Sequence, residues 1–461
     1  MGDVGARPGT GLGIYHRRDI TGSIVTRVRS LLVLSAVLGL MIATLTAMQP
    51  TPEPGNYVGP GSCAATACHG AIRPVAGARI LQTEYTTWIA QDRHARATDV
   101  LSNPVSTRMA KILGIGDPAK APTCLACHSL DVPPSTQGRN FANEGVSCEA
   151  CHGPATGWLG YHVTRDATHE ESVKRGMYDT KDVVKRTDKC LTCHLGTSDK
   201  FVDHEMIAGG HPDLVFELEA FSAAMPRHWR EVAEGDVYAP VRAFAVGQLT
   251  HLRASLDRLS RRVKGPIWPE YAELDCFACH HSLTRPEDSW RQAIGYDDRA
   301  RPGLPPLQVS RYLTARRVLA AYDGQAEHDL AGIMDKLQIE ASRLTVKRDE
   351  VVALANQARA LVDRGIGKAL AMQPSAEMAS SMLRGIYTDA PQIAERGERA
   401  AEQAAMAVET LTAAVAKTRG QDPMAAKPAF NELFKEFESP SSYDPHRFAA
   451  AMKKVESATG R

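Results

Sequence analysis

Gly145-Val-Ser-Cys148-Glu-Ala-Cys151-His152-Gly-Pro154 holds two cysteines three apart, with a histidine directly after the second. That spacing is the attachment site of a c-type haem. The two thiols add across the haem vinyl groups, and the histidine stands where a ring nitrogen reaches the iron. The device recurs as Cys124-Leu-Ala-Cys127-His128, Cys190-Leu-Thr-Cys193-His194 and Cys276-Phe-Ala-Cys279-His280. A fifth version, Cys63-Ala-Ala-Thr-Ala-Cys68-His69, carries four residues between its cysteines. The five sites use all 10 cysteines, so no thiol remains for a disulfide or a nucleophile. Paired thiols by themselves also suit zinc or a redox disulfide. Neither use requires a histidine next to the second cysteine at every site. The expected cofactor is therefore haem c, five copies, covalently attached.

The 461 residues leave room for two or three domains. A net charge of +1 provides neither the basic footprint of a nucleic-acid binder nor an acidic tail, so no nucleic-acid partner is expected. Aromatic residues make up only 6% of the chain. Macrocycles in the core would supply the flat apolar surface that aromatic side chains otherwise provide.

Residues 1–29 read as a polar cytoplasmic tail, with Arg17, Arg18, Arg27 and Arg29 just ahead of an uncharged run at 31–48. A run of that length just crosses a bilayer. Basic residues on its N-terminal side would keep the tail in the cytoplasm and send the rest across. Segment 30–49 is expected to be a transmembrane anchor, with a cleaved signal sequence as the rival. The protein would then sit on the periplasmic side of the cytoplasmic membrane, anchored by this helix, or be exported and soluble if the segment is cut. Residues 50–60, rich in proline and glycine, read as a linker.

Residues 61–295 contain all five motifs and form the expected pentahaem domain. Helical periodicity appears at 81–97, with Tyr85, Trp88 and Ile89 on one side, and at 212–224 behind Pro212. A longer stripe of Ala245, Leu249, Leu252, Leu256 and Leu259 predicts a helix over 241–263. Strand signal is weak. Each iron also needs a sixth ligand or stays open, and neutral imidazole is a natural one. Beyond the motif histidines this region holds His94, His162, His169, His204, His211, His228, His251 and His281.

The run 145–154, the segment Asp203-His204-Glu-Met-Ile-Ala-Gly-Gly-His211-Pro212 and Asp275-Cys276-Phe-Ala-Cys279-His280-His281 resemble the multihaem cytochromes typified by cytochrome c-554. Tyr85-Thr-Thr-Trp88-Ile-Ala-Gln-Asp-Arg-His94 fits as well. The likeness covers residues 60–290. It implies a mainly helical, loop-rich fold around stacked haem pairs, and a periplasmic electron carrier. Five motifs and a long C-terminal extension depart from the four motifs of the type member. From resemblance and position, His94, His162, His204 and His211 are the expected distal ligands, with His204 and His211 serving different irons. His281 is the fifth. It follows His280 as in the small tetrahaem cytochromes of sulfate reducers, where the second histidine goes to a neighbouring haem. His228 is its substitute; His251 is left open between a ligand and a packing residue of its helix, and His169 and Met206 are read as non-ligands. Mostly bis-histidine irons imply low potentials, since methionine raises them.

Residues 300–461 have no cysteine and carry alanine- and leucine-rich helical stripes, among them Val351, Leu354, Ala358 and Leu361. They are expected to form a helical bundle or extension that caps the haem domain. The fold class expected overall is mainly α: a loop-rich multihaem cytochrome c domain with an N-terminal membrane anchor and a C-terminal helical domain. The expected function is an electron relay between redox proteins, without catalysis, tied to the membrane by its N-terminal helix. Oligomeric state stays open. The alternative is an oxidoreductase with one open iron acting on a small nitrogen or sulfur compound, for which Arg93, Arg96, His228 and Arg230 are candidate pocket groups.

Overall fold

The structure, a computed structural model, describes residues 55–139, 141, 144–230, 236–280, 305–439 and 442–459. The expected tail, the anchor or signal at 30–49, the first part of the linker and His281 lie outside the described residues. Those described belong to one compact unit, Pro54–Arg461. Among them the chain is helical, and its only β contacts are the isolated bridges Tyr57–Gln137 and Leu274–Leu307. No helix among them is long and apolar enough to cross a membrane.

The first part of the chain folds into short helices: α1 Glu84–Gln91, α2 Pro104–Leu113, α3 Pro122–His128, α4 Cys148–His152, α5 Leu159–His162, α6 His169–Lys174, α7 Val183–His194, α8 His204–Gly209 and α9 Leu218–Ala224. Such lengths are not stable alone. Side-chain caps set where several of them begin. The Asn103 carboxamide accepts the Ser106 N–H, Asp182 those of Val184 and Lys185, Asp203 that of Met206, and Glu217 that of Ala220. These caps explain two departures from the sequence periodicity. The helix expected from 212 begins only at Leu218, because Asp213 pairs with Arg399 and Glu217 is the cap. The helix expected over 81–97 stops at Gln91, where Asp92 turns extended and caps a tight turn, Arg93–Arg96.

The later helices are longer: α10 Ala239–Lys264, α11 Ser310–Tyr322, α12 Gly324–Ala341, α13 Arg348–Ala371, α14 Ala376–Ala394, α15 Glu398–Thr418, α16 Lys427–Phe434 and α17 Pro445–Ala458. Pro391 lies inside α14, in its last turn, rather than at a helix start. The break falls at Gly397, whose φ of 79° lies in the left-handed region. One large apolar core runs from Phe244 to Val455. α10 lies within it, with Phe244, Leu249, Leu252, Leu256 and Leu259 all buried. α13 approaches closely at Gly365, where a Cβ would meet Leu319 at 2.9 Å and Leu249 at 3.6 Å.

The short-helix region is tied to this core by polar contacts. Arg253 donates to Asp188 at 2.6 Å, and Arg258 donates to the Leu195 carbonyl at 2.8 Å while pairing with Glu273. Thr410 donates to the buried Glu217 at 2.9 Å. The same carboxylate caps α9, so one side chain both starts a helix and fastens it to α15.

Leu249→Ala is expected to destabilise the protein by about 2–5 kcal/mol, because a fully buried side chain leaves a cavity. Chemical unfolding followed by circular dichroism checks this. An unchanged midpoint would show that α10 is not packed as described.

Candidate haem sites

Motifs two, three and four lie on α3, α4 and α7, so each second cysteine and its histidine fall on the last turn of a helix. The fifth motif opens on a tight turn, Cys276–Ala278, and the first follows one, Pro60–Cys63. The glycine three before Cys148 has a structural reason. Gly145 has φ 66°, and a Cβ there would meet the carbonyl oxygens of His94 and Ala95 at 2.6 Å. The Val146 N–H then donates to the His94 carbonyl at 2.9 Å. The third motif is thus docked on the backbone of His94.

The histidine rings meet two by two. His69 and His162 stand 6.2 Å apart between ring centres and are nearly parallel, with 3° between planes. His194 and His94 are 6.3 Å apart at 87°, His128 and His211 6.4 Å at 85°, and His280 and His204 6.4 Å at 37°. A metal–imidazole bond is about 2 Å long, so one metal held between two such rings sets their centres roughly 6.3 Å apart. Each pair joins one motif histidine to one of the four expected distal histidines. His204 and His211 fall to different motifs. Among the described residues no three His, Cys, Asp or Glu side chains cluster around a single metal position. The arrangement fits axial ligation of haem iron, in which the porphyrin supplies the other four donors.

Hydrogen bonds to Nδ1 leave Nε2 for the metal. Glu84 holds Nδ1 of His69 at 3.0 Å, and Asp92 holds that of His94 at 3.0 Å. Backbone carbonyls do the same for His128 (Ala97, 2.9 Å), His162 (Leu159, 2.5 Å) and His211 (Pro212, 2.7 Å). Such partners fix ring orientation and tautomer, and a carboxylate also raises ligand basicity. By contrast His169 gives its Nε2 to Asp179 at 2.8 Å, and His251 accepts at Nε2 from the buried Arg311 at 3.4 Å. Met206 is a buried hydrophobe of α8.

A ligating histidine must be neutral. Burial pushes His152 down to about 4, with the charge of His228 adding to the effect. Burial likewise pushes His194 down to about 4, helped by His94. The hydrogen bond to Glu84 raises His69, and that to Asp92 raises His94.

The motifs are also close to one another. Cys63 lies near enough to Cys148, and Cys127 to Cys193, for each thiol to perturb the other. Burial pushes Cys151 up to about 11, with Lys189 opposing the shift and Cys193 adding to it. His204 opens α8 and His211 lies just beyond its end, after the left-handed Gly210. At the fifth motif the later helices close in. Arg399 of α15 reaches Cys276 at 3.8 Å, and Phe277 meets the Tyr443 ring at 5.8 Å.

Sequence reasoning missed Glu84 and Asp92. Asp92 was findable as a short cap two residues before His94. Glu84 lies 15 residues from His69 and carries no sequence signal.

Residues 63–153 match the family model of cytochrome c554 and c-prime, a span that includes three of the five motifs. The chain is also similar to the multiheme cytochrome MtrA of Shewanella baltica (strain OS185), at 27% identity over 206 residues. That match covers 42% of this chain and 56% of MtrA, so the chain spans little more than half the length of that relative. No solved structure matches the chain.

Glu84→Gln and Asp92→Asn are each expected to raise the midpoint of one haem, on the order of tens of millivolts, because a neutral partner leaves its histidine less basic. Spectropotentiometry on matured protein reads this directly. Midpoints that stay put in both variants would show that the two carboxylates only orient their rings.

Proposed function

This chain is a multihaem c-type cytochrome, and on that premise we propose that it is a pentahaem electron relay on the periplasmic side of the cytoplasmic membrane. Electron transfer is the role that its family likeness supports. The observation that carries the finer reading is the set of four imidazole pairs at 6.2–6.4 Å, each including one motif histidine. An iron held between two such histidines would have no free position for a substrate, so these four sites favour electron exchange over catalysis.

When bound, haem supplies an iron that cycles between ferric and ferrous states. The protein's own residues set where those irons stand. Motif one lies against motif three, motif three near motif four, and motif four against motif two. Motif two shares α8 with motif five through His211 and His204. The path that follows is unbranched: first, third, fourth, second, fifth. Its far end is covered by α15 and Tyr443. Electrons would then enter or leave most readily at the first motif, through redox protein partners. The run at 30–49 supports a membrane anchor, and export is required in either case because haem c is attached outside the cytoplasm.

Matured protein is expected to hold five haems per chain, low-spin in the oxidised state, with low midpoints. A haem count with spin-state analysis and a potentiometric titration test this. Strongly positive midpoints, or turnover of a small nitrogen or sulfur compound at an open iron, would overturn the relay in favour of an oxidoreductase.

A further inference from the structure

Among the described residues, four pairs leave His152 as the one motif histidine with no ring facing it at the pairing distance. Three described histidines of the region remain uncommitted to a pair: His169, His228 and His251. His169 gives its Nε2 to Asp179, and His251 lies buried in α10 with Nε2 against Arg311. His228 differs from both. Its Nδ1 leans on the Pro226 carbonyl at 3.3 Å, the same local bond that frees Nε2 in His162 and His211. Trp229 packs edge-on against its ring, 5.0 Å between centres.

The backbone also carries His228 to the correct side of the molecule. Arg230 donates to the carbonyls of Val75 at 3.2 Å and Ile80 at 3.1 Å. That pins the segment onto the loop following the first motif, and the first motif lies against Cys148 of the third.

We propose that His228 is the distal ligand of the iron held by His152, so that all five irons are closed by histidine pairs. The inference rests on the haem reading of the five motifs. Binding requires the two rings to close to the spacing of the other four pairs, a movement of the segment between Met225 and Arg230. His281 is then not needed at this iron.

The test uses full-length matured protein with His228→Ala, His228→Met and His281→Ala, each with its own haem count. His228→Ala should keep five haems and turn one in five high-spin, with one carbon monoxide bound per chain after reduction. His228→Met should stay six-coordinate, gain a methionine–iron charge-transfer band and raise a single midpoint. His281→Ala should remain wholly low-spin. A parent protein that already shows one high-spin haem overturns the proposal, as does His228→Ala that stays low-spin with five haems. High-spin character on His281→Ala assigns that residue in its place. A haem count near zero in the parent would defeat the haem reading itself, a separate failure. Should His228→Ala fail to fold, the methionine variant decides: an unchanged spectrum rejects His228.

Discussion

Two imidazoles facing each other across one metal must stand at a single spacing, and the haem region is arranged around that demand. The four pairs fall within 6.2–6.4 Å although they join residues 76 to 100 positions apart in the chain. Nothing local enforces this. Each distal histidine sits where a short element begins or ends: His94 in the turn after α1, His162 at the end of α5, His204 at the start of α8, His211 just beyond it. Helix termini suit the task because the backbone there changes direction and frees a side chain to point away from its helix. The caps that fix those termini therefore also fix the ligands. Asp92 does both: it caps the turn that holds His94 and accepts from its ring.

Charge follows the same logic. Histidines buried without a carboxylate, such as His194, are held neutral by the loss of solvent. Those with a carboxylate on Nδ1, His69 and His94, lean the other way until a metal takes Nε2. Opposite electrostatics thus serve one end. Burial removes competition from the proton, and the carboxylate strengthens the donor once the metal is in place. The two carboxylate-backed histidines belong to different pairs, so irons bound there would not be electronically equivalent, and electrons would have a preferred resting place among them.

The cysteine–histidine spacing made the cofactor legible at once, because covalent attachment demands a fixed local geometry. His94, His162, His204 and His211 were legible from position and resemblance, and the structure brings each to a motif histidine. Their assignment to particular irons was not legible, since it depends on contacts between residues as far apart as His94 and His194. Helix type was readable where an apolar stripe was long, as in α10. It misled where one polar contact overrides periodicity: Asp213 turns to Arg399 and delays α9 to Leu218. Glu84 was invisible because a glutamate in a short helix has many bland uses. Only the fold shows its Oε2 on His69 while Oε1 accepts from Leu81 and Gln82.

The later helices answer a problem that the haem region creates. Helices of four to twelve residues bury too little apolar surface to hold themselves. α10 to α17 supply a conventional core, from Phe244 to Val455, that needs no cofactor. The two regions are joined through charged and polar contacts. Arg253, Arg258 and Arg399 reach across to Asp188, Glu273 and Asp213, and Glu217 is shared between the α9 cap and Thr410. The Arg258–Glu273 pair is buried, and a buried ion pair contributes little net stability but strongly penalises a wrong partner. Such a seam therefore specifies position more than it adds strength. Two further contacts of these helices, Arg399 at Cys276 and Tyr443 at Phe277, fall on the fifth motif itself.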